Sequence, residues 1–209
     1  MAYIEKFNWF CGKDNETLTS FEWDVNDTMH NACFADLVYT APHALFIVLA
    51  SLILLVVGCC TSMRKKHPSY LIPFPGHKAL WVLYIPFLFG LMCSVGEGAI
   101  TDLEVYKNVA TQPRLYLTGV CSMVGGMIAL MYYHHMEVWN KLSMAWLLLI
   151  YWATALAAEG VRFVNLYDHD ADSINIELMR VDINILMLVT YSLFTLITLY
   201  LIVCKVMWK

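Results

Sequence analysis

The stretch HNACFADLVYTAPHALFIVLASLILLVVGCCTSMRKK, residues 30–66, decides the fold. From Val38 to Cys60 it holds no acidic residue, lysine or arginine. A bilayer core requires about 20 mostly apolar helical residues, and this run supplies them. Acidic, polar sequence precedes it, and Arg64, Lys65 and Lys66 close it.

Four further runs of that kind follow, at 79–100, 115–133, 142–164 and 183–204. The whole chain is 60% hydrophobic and 14% charged, against about 45–50% and about 25% in soluble domains. Backbone groups in lipid must be satisfied within the segment, which selects helices. Strand-like alternation is missing, so a β-barrel is not expected. The reading is an all-α membrane protein. A polar tail over 1–37 precedes a five-helix bundle over 38–209. The first 30 residues lack the apolar core of a secretory signal. The 13 basic residues are scattered and do not form a nucleic-acid surface.

Five spans put the two termini on opposite sides. One side carries Arg64, Lys65, Lys66, Lys78, Lys141, Lys205 and Lys209, seven basic residues with Glu137 as the one acid. The other carries five basic residues and most of the acids. Lysine and arginine near span ends mark the cytoplasmic side. The N-terminus is therefore expected outside and the C-terminus in the cytoplasm. Cys11 and Cys33 then share an oxidising compartment, where a disulfide between them is expected. By loop entropy it would contribute roughly 3 kcal/mol. Asn15 and Asn26 each head an N-glycosylation sequon on the same tail. Cys59 and Cys60 fall at the inner end of the first span, a position open to palmitoylation.

An ordered set of motifs resembles the N-terminal extra membrane domain of subfamily C ABC proteins, and among these the sulfonylurea receptors. The set comprises Phe10-Cys11-Gly12, Cys33-Phe34-Ala35-Asp36, Pro42-His43, Phe74-Pro75-Gly76-His77 with Trp81, and Glu97-Gly98-Ala99-Ile100-Thr101-Asp102. It continues with Tyr132-Tyr133-His134, Tyr151-Trp152, Arg162-Phe163-Val164 and Asp168-His169. Glu159-Gly160 departs from it, standing where the receptors usually have a basic residue and threonine. The fifth span matches only in character. No G-x-x-x-x-G-K-[ST] phosphate loop stands in the sequence, so neither ATP chemistry nor any other catalysis is expected of it.

The resemblance implies a non-catalytic docking and regulatory domain. Its partner would be an inward-rectifier potassium channel, with four copies around a tetrameric pore at the plasma membrane, reached through the endoplasmic reticulum. It would affect the channel's trafficking and gating. The first span and its approach are the implied contact, here Pro42, His43, Leu45, Phe46, Leu49, Leu52, Ile53 and Val56. Arg64, Lys65, Lys66 and Lys141 are candidate contacts for anionic lipid, and the resemblance implies a phosphoinositide there. No other cofactor is expected.

Ionisable residues within spans are costly and often functional. Glu159 and Arg162, three apart on one helix, are expected to pair, with Glu97 at a similar depth. Structural pairing is the favoured role. The alternatives are a small stand-alone transporter or sensor built on these residues, or a trafficking domain of a multidrug-resistance-type exporter. His134, His135 and Glu137 do not provide enough convergent ligands for a metal site.

Overall fold

The computed structural model describes residues 32–63, 77–108, 113–139, 141–168 and 176–207. Five long helices account for nearly all of them: α1 (Ala32–Met63), α2 (His77–Asn108), α3 (Pro113–Val138), α4 (Ala145–Asp168) and α5 (Ile176–Met207). A short 3-10 turn, Leu142–Met144, leads into α4. All five are long and apolar enough to cross a membrane. Each α-helix except α4 runs beyond both expected span limits, because polar residues prolong the helix past the apolar core. α1, for instance, begins at Ala32, ahead of the expected start at 38.

The helices close into a ring in which each packs chiefly on two neighbours, in the order α1, α3, α2, α5, α4 and back to α1. Aromatic residues fill the centre. Trp152 of α4 stacks on Phe194 of α5 with centroids 4.5 Å apart. Phe87 of α2 meets both edge-on, and Tyr191 as well. In lipid, apolar area alone does not draw helices together; close packing does. Gly119 of α3 allows such an approach, since a Cβ there would fall 2.9 Å from the Ser94 carbonyl oxygen of α2. Gly126, a further two turns along, leaves room for the Phe87 ring. The threonine and serine hydroxyls along α5 are satisfied locally. Thr190, Ser192, Thr195 and Thr198 each donate to the carbonyl four residues back.

Two prolines lie inside the helices, Pro42 in α1 and Pro86 in α2. Each removes one helical hydrogen bond. Pro42 stands where α1 leaves its most polar turn, between the buried Tyr39 and His43.

Candidate functional site

α1 packs on α3 and α4, yet it buries the smallest share of its apolar span. Only 17% of its most apolar stretch is buried, against 33% to 44% in the other four helices. Its covered seam is Tyr39, His43, Phe46 and Ala50, spaced four, three and four residues apart. Beyond Ala50, no residue of α1 up to Cys60 is buried. Leu45, Leu49, Leu52, Leu55 and Val56 stand exposed on the opposite side.

Where this face meets α4 it forms a groove of about 410 Å³. Small residues create it. Ala41 and Pro42 of α1 stand across from Ala157 and Ala158 of α4, while Leu45, Leu49, Ile150 and Val161 raise its walls. Phe46 and Tyr151, stacked at 3.9 Å, lie at its base. Of the two hydroxyl-bearing residues in its lining, Tyr151 shares its hydroxyl with His43 and Thr154 turns its hydroxyl back to the Ile150 carbonyl. The groove is thus an apolar surface suited to a lipid-embedded partner.

The first-span candidates separate into two groups. Leu45, Leu49, Leu52 and Val56 face outward. Pro42 and Ile53 are half-buried. His43 and Phe46 point into the bundle and stand behind the groove. His43 shares a 3.0 Å hydrogen bond with the Tyr151 hydroxyl.

A polar network braces the end of the bundle where α1 begins. Arg114 of α3 donates to Asp36 of α1 at 3.0 Å. Arg162 of α4 donates to Glu97 of α2 at 3.3 Å and lies over the Tyr39 ring, 4.8 Å from its centroid. These contacts tie α1 to α3, α2 to α4 and α1 to α4. The pairing expected within α4 is replaced by one between helices. Glu159 is fully buried within electrostatic reach of Arg162, yet neither carboxylate oxygen has a hydrogen bond of good geometry. The Asp36–Arg114 pair lay beyond the reach of sequence reasoning, since its partners stand 78 positions apart.

The opposite end has its own clamp. His77, the first residue of α2, donates from Nδ1 to Glu137 of α3 at 2.6 Å. The Tyr133 hydroxyl donates to the same carboxylate oxygen at 2.5 Å. Lys141 is exposed in the link that follows α3. Among the described residues no three histidine, cysteine or acidic side chains converge as metal ligands. Cys11, Asn15, Asn26, Arg64, Lys65 and Lys66 lie outside the described residues, as does the side chain of Cys33.

Comparison with known proteins supplies the relatives. No protein-family model matches the chain. It is 28% identical over 190 residues to ATP-binding cassette sub-family C member 8 of Cricetus cricetus and of Rattus norvegicus. It is 27% identical over the same length to that of Homo sapiens. The homologues are sulfonylurea receptors. The alignment takes in 90% of this chain, and the chain spans only 11% of the length of these curated relatives. The matched part is not the nucleotide-binding part of the receptor. The chain is therefore related to a membrane domain of subfamily C ABC proteins, and the fold accords with that relationship.

Proposed function

We propose that this chain is a docking and regulatory membrane domain that binds an inward-rectifier potassium channel. The observation carrying this reading is the open face of α1 with its groove against α4. Of the five spans, α1 is the one whose apolar stretch its own bundle covers least. Similarity to sulfonylurea receptors supports the choice of partner. An outer helix of the pore would lie along Leu45, Leu49 and Leu52, and Ala41, Ala157 and Ala158 would allow it to approach closely. Four such domains would surround a tetrameric pore. The N-terminus would face outward, with Asn15 and Asn26 glycosylated and Cys11 joined to Cys33. The C-terminus would be cytoplasmic. Lys141, together with Arg64, Lys65 and Lys66, would then meet anionic lipid, including a phosphoinositide, at the inner leaflet of the plasma membrane. The inter-helix pairing of Glu97 with Arg162 favours a bracing role for those residues over a transport path.

Co-expression with an ATP-sensitive inward-rectifier pore tests the proposal. The chain is expected to co-purify with the pore and to change its single-channel open probability. Tryptophan at Leu45, Leu49 or Leu52 is expected to abolish both effects. Failure to associate with any such pore would overturn the reading.

A further inference from the structure

The seam of α1 leaves a second feature unexplained. Cys59 and Cys60 are both exposed and carry free thiols. They close the apolar span, which ends at Cys60. Cys93, Cys121 and Cys204, the other free cysteines among the described residues, are half-buried. The two thiols also continue an existing line. Leu45, Leu49, Leu52 and Val56 follow one another at steps of three or four residues, and Cys59 and Cys60 stand three and four residues beyond Val56, so they flank the same side of the helix. Leu45, Leu49, Leu52 and Val56 are exposed along that side. From Cys59 up to Leu45 the helix rises about 21 Å, at about 1.5 Å per residue. An acyl chain attached at the lower end would therefore enter the bilayer next to an apolar helix face, at the edge of the surface open to a partner. In sequence the pair is followed within six residues by Arg64, Lys65 and Lys66. Such a cluster draws an anionic inner leaflet toward it.

We propose that Cys59 and Cys60 are S-acylation sites whose fatty chains enter the bilayer from the Cys60 end of α1, beside the exposed stripe. The inference rests on the inward orientation of this end of α1 proposed above. The donor is a long-chain acyl-coenzyme A. The cysteine thiolate attacks the thioester carbonyl, a new carbon–sulfur bond forms at Sγ, and the bond to the coenzyme A sulfur breaks. Coenzyme A leaves as a thiol carrying the proton lost by the cysteine, and no oxidant is needed. Cysteines at a membrane boundary are the positions where this modification occurs. Because the stripe is also the proposed docking face, acylation would place lipid chains beside the partner helix.

The test uses the full chain expressed in animal cells. Free thiols are blocked, thioesters are cleaved with hydroxylamine, and the released thiols are tagged with a maleimide of known mass. Two hydroxylamine-dependent tags are expected. Cys59→Ser and Cys60→Ser should each lose one, and the double variant both, whereas Cys93→Ser, Cys121→Ser and Cys204→Ser should retain both. Tags surviving in the double variant, or none in the unaltered chain, would overturn the proposal. Orientation is read separately, from a glycosidase-sensitive mass shift lost in Asn15→Gln/Asn26→Gln. A shift without tags sinks acylation alone. Absence of both sinks acylation and leaves the orientation without support, while co-purification with the pore reports on docking independently.

Discussion

α1 and α5 are both 32-residue helices dominated by apolar residues, yet the bundle uses them differently. α5 sends Met187, Tyr191, Phe194 and Leu201 into the core and packs on α4 and α2. α1 fully buries only the narrow seam from Tyr39 to Ala50 and leaves Leu45, Val48, Leu49, Leu52, Leu55 and Val56 exposed. Hydropathy alone does not separate the two, because lipid and core are equally apolar surroundings. The ring arrangement separates them. α5 supplies aromatics to its centre, whereas α1 packs on α3 and α4 through a narrow seam that includes Phe46 and Ala50 and is braced by polar contacts at one end. A helix fixed in that way can present a face to another protein without weakening its own bundle.

This contrast can be broken experimentally. The largest effect is expected on α5. Phe194→Ala removes the ring stacked on Trp152 and should cost about 3–5 kcal/mol, seen as a large fall in melting temperature in detergent. The equivalent truncation on the open face, Leu52→Ala, should shift stability by less than about 0.5 kcal/mol. Equal losses would mean that α1 is as deeply engaged as α5. Next comes the polar brace. Arg162→Met leaves Glu97 without that partner beside the already buried Glu159. Removing one member of a buried pair costs about 3–5 kcal/mol, and the partial exposure of Arg162 and Glu97 places this case at or below the lower end. The double variant Arg162→Met/Glu97→Gln should recover part of the loss. If it does not, the 3.3 Å contact contributes nothing. Gly119→Ala should cost about 1–3 kcal/mol, because its Cβ would press on the Ser94 carbonyl and α2 would have to shift. An unchanged melting temperature would show that the two helices can separate at little cost.

Much of the architecture was legible in the sequence because membrane thickness imposes a length on every span. Five apolar runs gave five helices, with ends extended by polar turns that carry no hydropathy signal. The side of each residue was harder to read. His43 and Phe46 sit among outward-facing leucines in sequence, and only the packing of α4 beside α1 turns them inward. The partner of Arg162 was misjudged for a related reason. Spacing along one helix favours Glu159, but Glu97 comes within 3.3 Å only once α2 and α4 occupy the same ring. The groove was illegible too, since it arises from small residues on two helices more than a hundred positions apart. The His77–Glu137–Tyr133 clamp joins helix ends that carried only weak polar signals.

The most direct test of the central claim places the same probe on both helices. A photoreactive residue is introduced at Leu52 of α1, 56% exposed, or at Leu196 of α5, 62% exposed, and the chain is illuminated in membranes containing the channel pore. The account predicts a covalent adduct with the pore from position 52 and only lipid adducts from position 196. A pore adduct from position 196, or none from either, would contradict the assignment of α1 as the docking helix.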